Sequence, residues 1–328
     1  MTIAVICGGV GAARFLRALA EVWPAADTVG IVNTGDDTVL HGLSISPDLD
    51  TITYTLAGAI DPERGWGLRD ETWRAMGALG RYEGVRPQGS TAAPTWFNLG
   101  DQDLATHFYR TARRAEGATL TEATDEIRTA WGLAQRLVPM TDRAVTTMIT
   151  LADPDDPTRP GSEVAFQEYF VRLRHGVPVH SVRFAGAESA EPSPAALAAL
   201  ATAAAVVVAP SNPLVSIAPI RSLRGIDTAL AARRETVVAI SPIVGGAALK
   251  GPADRMLEEL GHESSVVGVA RLYAPIASTL VIDPVDAHLA DAVRAEGLEV
   301  VVTPSIMSTP EIGAELSRRT LAAAGIQV

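Results

Sequence analysis

Two acidic clusters and the glycine-rich turn ahead of them are the residues of this chain best suited to phosphate chemistry. The clusters read Asn33-Thr34-Gly35-Asp36-Asp37 and Ser46-Pro47-Asp48-Leu49-Asp50-Thr51. Four carboxylates near a phosphate-sized turn can hold Mg2+ through oxygen ligands, and one can accept a proton from an attacking hydroxyl. Asp and Asn are also common turn and N-cap residues, so one or two of the four would act only as caps, with Asp48 or Asp50 capping the apolar helix they open. The turn is Gly8-Gly9-Val10-Gly11-Ala12-Ala13-Arg14. Small residues let a ligand approach the backbone, and free N–H groups at a following helix start can hold phosphate. The turn fits neither standard fingerprint. Counting from Gly9, G-x-G-x-x-G/A finds Arg14 where Gly or Ala belongs, and no Lys-Ser/Thr follows for a Walker loop. A purely structural turn is the alternative, but Arg14 at a helix start could grip a diphosphate bidentately.

Two later loops share the small-residue character: Pro210-Ser211-Asn212-Pro213, leading to Ser216, and Pro242-Ile243-Val244-Gly245-Gly246. Three such loops converging on one rim of a parallel sheet are more telling than any one of them. A further patch, Trp96-Phe97-Asn98-Leu99-Gly100-Asp101-Gln102-Asp103, precedes a helix containing His107 and Arg110. Its aromatics could cover a planar ring while Asn98 and Asp101 bond its edge; equally, Trp96 and Phe97 could be core and Asp101 or Asp103 a cap. The six histidines show no H-E-x-x-H spacing, which argues against zinc.

The elements that must position these groups follow from hydrophobic pattern. Thr2 to Cys7 reads as a strand, Arg14 to Val22 as a helix and Thr28 to Asn33 as a second strand, a βαβ unit. From about Asp61 to Asp142 the chain reads as helical insertion. Val164 to Leu173 and Val179 to Ala185 then read as a hairpin around Gly176 and Pro178. Strand-like runs at 205–209, 236–241, 279–282 and 298–302 alternate with helical stretches near 225–234, 252–260, 285–296 and 310–324. The expected fold is α/β: a Rossmann-like, mostly parallel sheet with helices on both faces. Residues 1–60 and 180–328 would form the nucleotide-binding core, and 61–179 the insertion.

Composition narrows the function. The chain has 328 residues, 47% of them hydrophobic and only 5% aromatic, which suits helices packed on a parallel sheet. A net charge of −11 argues against nucleic acid. All basic residues but one are arginine, so only Lys250 could serve a lysine-based phosphate loop or Schiff base. The one cysteine, Cys7, allows no intrachain disulfide and no thiolate metal cage, and a reducing cytoplasm fits. The apolar stretch 195–209 is short of a bilayer span and reads as an Ala-rich helix feeding a strand, so neither a signal peptide nor a membrane segment is expected.

Taken in order, GGVGAARFL, NTGDD, SPDLDT, IDPERGWG, NLGDQDLATH, PMTD, APSNPLVSIAPI and SPIVGG closely resemble the 2-phospho-L-lactate transferase family of coenzyme F420 biosynthesis. The resemblance covers nearly the whole chain. It implies a Mg2+-dependent transfer of a phospholactyl or phosphoenolpyruvyl group from a guanosine diphosphate-linked donor to the ribityl deazaflavin Fo, releasing GMP. The Arg-rich, nearly Lys-free composition resembles that of a high-GC genome, and likeness to the actinobacterial members of the family implies the phosphoenolpyruvyl donor. Carried onto this chain, Gly9, Gly11, Arg14, Ser211, Asn212 and Ser216 would hold the nucleotide diphosphate. Asp36 and Asp37 would hold the metal, with Asp36 also catalytic. Asp50 would bind Fo and orient or deprotonate its ribityl hydroxyl, helped by Asp48, Trp96 and Asn98. A homodimer is carried over in the same way. Asn98 stands where archaeal relatives carry a lysine, so any cationic contact to Fo is missing there, and 87–95 reads as a longer, mobile flap.

Two other classes remain. The gluconeogenesis-factor family, thought to bind nucleotide-sugars, shares a similar glycine-turn start and α/β core. A nicotinamide-dependent oxidoreductase is suggested by the βαβ unit, but Arg14 and the non-acidic Asn33 at the end of the second strand weigh against it.

Overall fold

In a computed structural model, which describes Met1–Val328 throughout, seven strands form one parallel sheet. Their spatial order is Glu299–Val302, Thr279–Ile282, Val237–Ile240, Ala205–Val208, Ile3–Cys7, Thr28–Val32 and Arg136–Pro139. The five inner strands, from Thr279–Ile282 to Thr28–Val32, are buried along their whole length. That burial explains their continuous β-branched runs, since a parallel sheet covered on both faces has no solvent side to pattern. One face carries helix Gly9–Leu19, which buries Ala12, Phe15, Leu16 and Leu19 at helical spacing, together with Leu49 and Ile52 and the C-terminal Leu316 and Leu321. The other face packs Ala196, Leu200, Ile226, Leu230, Val269 and Tyr273 against Ala4, Ile6 and Val206.

The chain leaves Ile3–Cys7 toward one edge through Thr28–Val32, then fills the other edge from Ala205–Val208 onward. Strand order therefore reverses between Ile3–Cys7 and Ala205–Val208, which pair in parallel. Doubly wound sheets bind ligands outside the carboxyl ends of strands at such a reversal. The apolar stretch 195–209 becomes helix Pro194–Thr202 and strand Ala205–Val208, and no helix is long and apolar enough to cross a membrane.

The middle of the chain departs from its sequence reading in two places. Arg136–Pro139 lies inside the expected insertion yet pairs with Thr28–Val32 as the edge strand of the main sheet. It was hidden because it is four residues long and ends in proline, a residue tolerated at a sheet edge. The expected hairpin is instead a three-stranded antiparallel sheet in which Pro160–Ala165 and Val179–Ala185 both pair with Thr146–Ala152. Thr146–Ala152 alternates half-buried and buried residues, and it separates the two segments expected to pair. Residues Glu168–Arg172 form a turn of π-helix, not strand. The helical part of the excursion is made chiefly of Asp101–Ala115 and Leu120–Ala130, the latter opened by a capping box between Thr119 and Glu122.

Candidate functional site

At the point of strand reversal lies a cleft of about 750 Å³. The glycine turn forms part of its floor. Helix Gly9–Leu19 starts within that turn, so its first N–H groups face the cleft. Ser211 ties the turn to the loop after Ala205–Val208: its hydroxyl donates to the Gly8 carbonyl at 2.8 Å and accepts from the Gly8 N–H at 3.4 Å. The two loops touch so closely that a Cβ at Gly11 would stand 2.2 Å from the Pro210 carbonyl oxygen. A Cβ at Gly8 would stand 2.6 Å from Asp48 Oδ2. Glycine is needed here for approach, whatever ligand the turn holds. Asn212 accepts from the Leu214 N–H at 2.9 Å, and Ser216 packs against Gly8. Arg14 lines the same floor.

Asn33 organises the acidic groups beside this floor. Its amide donates to Asp48 Oδ2 at 3.0 Å and to the Val215 carbonyl at 3.4 Å, while its oxygen accepts from the Gly35 N–H at 2.8 Å. Burial pushes the Asp48 carboxyl up to about 6, against the pull of Asn33 and the Gly9 N–H. Burial, and then the charges of Asp48 and Asp37, push Asp36 well above the usual carboxylate range. Asp36 is 6% exposed, and its Oδ1 has no hydrogen-bond partner. Asp37 does not line the cleft. It accepts from the Ser46 hydroxyl at 2.7 Å, and burial raises it to about 8. Neither Asp48 nor Asp50 caps helix Pro47–Leu56, which has Ser46 at its N-cap; both lie in its first turn and face inward.

Asp50 belongs to a second network, on the wall built by the helical excursion. Arg110, 1% exposed, grips it with both guanidinium nitrogens, one at 3.1 Å from Oδ2. His107 Nδ1 lies 3.7 Å from Asp50 Oδ2, and its Nε2 lies 3.2 Å from Asp103 Oδ2. The Arg110 guanidinium also approaches His107 Nδ1, at 3.4 Å. Tyr54 donates to Asp103 Oδ1 at 2.6 Å. Burial would raise Asp103, but His107, Tyr54 and Arg110 outweigh it and hold the carboxyl below its ordinary value. Asp50, Asp103 and His107 bring one ligand atom each within 4.8 Å of one another, an arrangement that can hold a divalent ion.

Aromatic side chains close the cleft from both sides. Phe97 and Trp66 line one wall, and Phe166 and Phe170 the other, stacked with ring centroids 5.4 Å apart. Trp96 does not line the cleft. It packs edge-on against Phe97, with ring centroids 5.8 Å apart, and of the two only Phe97 lines the cleft. Asn98, Asp36, Asp48, Asp50, Gly9, Gly11, Arg14, Ser211, Asn212 and Ser216 all line the same cleft. The sequence reading did not single out Tyr54, Asp103 or His107 as a working set. Their signal was present, because Asp103, His107 and Arg110 recur at spacings of four and three and must share a helix face. Phe166 and Phe170 share a face by the same spacing, but lay in a segment read as strand.

A family model described as 2-phospho-L-lactate transferase CofD matches residues 3–315. A phosphoenolpyruvate transferase from Nocardia farcinica is 40% identical over 325 residues, covering 99% of this chain and 95% of that protein. The phosphoenolpyruvate transferase of Mycobacterium tuberculosis H37Rv is 40% identical over 339 residues, covering 99% of each. Among solved structures, a UPF0052 family protein from Bacillus halodurans superposes with a TM-score of 0.59 at 14% identity, over 98% of both chains, a likeness of fold. Matched by the family model and by these relatives over almost its whole length, the chain belongs to the 2-phospho-L-lactate transferase CofD family.

Proposed function

We propose that this protein transfers a phosphoenolpyruvyl group, or its 2-phospholactyl equivalent, from a guanosine diphosphate-linked donor to the ribityl hydroxyl of Fo, releasing GMP. The observation that carries this reading is the meeting in one cleft of a lysine-free glycine turn, a group of buried carboxyls beside it and a separate, arginine-held carboxylate. The phosphoenolpyruvate transferases at 40% identity favour the phosphoenolpyruvyl donor.

On this reading the N–H groups at the start of helix Gly9–Leu19, with Arg14, hold the diphosphate. Ser211 and Ser216 keep the two loops in register, and the Asn212 amide offers its remaining donors to the nucleotide. Asp50 faces the acceptor. Arg110 fixes the plane of its carboxylate, and Tyr54, Asp103 and His107 hold that wall rigid, so that Asp50 can receive the ribityl proton. Phe97, Trp66 and Asn98 would contact the deazaflavin. In-line attack at phosphorus needs little covalent help, so positioning and charge neutralisation dominate.

Mg2+ suits the carboxylates of the floor better than the Asp50 network. Asp36 keeps a buried oxygen without a partner, next to Asp48, and carboxylates crowded in this way lack a counter-charge. The Asp50 group includes an imidazole, a poor ligand for a hard cation, and Asp50 is already paired with a guanidinium. Asp36 and Asp48 would therefore hold the ion, with Asp37 supporting them from behind. When bound, Mg2+ would neutralise the diphosphate and the departing GMP.

Calorimetric titration tests the reading at the level of binding. GDP in the presence of Mg2+, and Fo, should each bind one site per chain. Tight binding of a UDP-sugar with no response to GDP or Fo would favour a nucleotide-sugar-binding protein, and quenching of NADH fluorescence would favour an oxidoreductase. A homodimer in solution belongs to the same proposal and is checked by light scattering.

A further inference from the structure

The glycine turn lacks the lysine that a Walker-type loop carries directly after its last glycine. The chain's single lysine nevertheless stands on the rim of the same cleft. Lys250 follows a short antiparallel pair, Ile243–Val244 with Ala247–Ala248. The turn of that pair is anchored from below, where the buried Asp286 carboxylate accepts the Gly245 N–H at 2.9 Å. From this base the lysine reaches the segment 64–67. A Cβ placed on Gly65 of that segment would lie 2.7 Å from Lys250 Nζ and 3.9 Å from Val10 Cγ1 of the glycine turn. The ammonium therefore overhangs the turn that lacks one. Arg64, on the same wall as Gly65, is committed to Asp61 and Glu71, whereas Arg14 and Lys250 line the cleft without a carboxylate partner.

We propose that Lys250 contributes, through space, the phosphate-directed ammonium missing beside the glycine turn, contacting the donor diphosphate and stabilising the charge that develops on it. This inference rests on the transferase reading above. In the transfer, the acceptor hydroxyl oxygen bonds to the phosphorus that carries the three-carbon acid. The bond from that phosphorus to the bridging oxygen breaks, its electron pair leaves with GMP, and the hydroxyl proton passes to Asp50. Negative charge grows on the bridging oxygen, and an ammonium fixed above the turn meets it without reorganisation. A compact ammonium with three rotatable donors suits crowded phosphate oxygens where a planar guanidinium fork would not fit as well.

The test compares Lys250→Met, similar in length but uncharged, with Lys250→Arg. Lys250→Met should lower kcat about 100-fold, the scale set by loss of one preorganised donor, and weaken GDP binding roughly 10-fold, about 1.4 kcal/mol. Fo affinity and Tm should stay at wild-type values, because the residue is exposed and makes no hydrogen bond or ion pair within the protein. Lys250→Arg should recover at least about a tenth of the lost rate, since it restores charge but not shape. A Lys250→Met enzyme within threefold of wild type in kcat and GDP affinity would overturn the assignment. Equal losses of GDP and Fo affinity would overturn it as well, by indicating a collapsed cleft. A wild-type protein that does not convert Fo would overturn the transferase reading and this inference together; an active wild type with an unimpaired Lys250→Met variant overturns the lysine alone.

Discussion

Asp50 answers to two demands at once, packing against a buried arginine and facing the cleft. Replacing it with alanine leaves Arg110 charged, buried and unpaired, so the more informative variant is Asp50→Asn, which keeps shape and most hydrogen bonds. Loss of a positioned base lowers rate by roughly 100- to 10,000-fold. Asp50→Asn should therefore lose transfer on that scale while its Kd for GDP stays within about threefold of wild type. A fall in GDP affinity matching the fall in rate would remove Asp50 from the acceptor side. Arg110 gives the complementary result. Arg110→Ala strands the Asp50 carboxylate in the interior, and breaking a buried pair by removing one partner costs about 3–5 kcal/mol. Denaturant unfolding should show that loss, and a change below about 1 kcal/mol would mean that water reaches Asp50 freely. The spacing of Asp103, His107 and Arg110 announced a shared helix face, but nothing local announced that Asp50 would meet it. That contact joins residues sixty positions apart.

Among the elements, the glycine turn and the loop after Ala205–Val208 behave as one unit. The first stood out in the sequence by its glycines, and the second by its prolines and small polar residues. Their contact was not legible, since it depends on which strand lies next to Ile3–Cys7. Gly11→Ala drives a methyl group against the Pro210 carbonyl and forces the loops apart. Overpacking of this kind costs about 1–3 kcal/mol. We expect a Tm lower by several degrees and GDP affinity reduced at least about tenfold, read by scanning calorimetry and titration. Unchanged binding would show that the two loops need not touch to hold the nucleotide. The later α/β half was readable because its strands are continuous apolar runs at regular spacing. The middle of the chain was not, because Arg136–Pro139 is short and Thr146–Ala152 inserts between two segments that looked like partners.

At the scale of the whole molecule, an acidic chain gathers three carboxyls that burial raises, with Asp36 and Asp37 raised further by neighbouring carboxylates. Each of these carboxyls binds its proton more tightly when folded than when unfolded, where its pKa is about 4. Their contribution favours the native state fully below that value and is lost as pH rises through about 6 for Asp48 and about 8 for Asp37. In chelator, Tm should therefore fall between pH 5 and pH 8, and added Mg2+ should raise Tm more at pH 8 than at pH 5. The opposite ordering would place the ion elsewhere, with the Asp50, Asp103 and His107 group as the first candidate. The strand order puts these carboxyls, the glycine turn and the Asp50 network around one point of reversal, and the proposed reaction depends on that convergence. It is tested most directly by incubating the protein with Mg2+, Fo and the guanosine diphosphate-linked phosphoenolpyruvyl donor and analysing the mixture by mass spectrometry. The account predicts a phosphoenolpyruvyl adduct of Fo and GMP in equal amounts, both absent when Mg2+ is chelated; recovery of unmodified Fo and intact donor would contradict it.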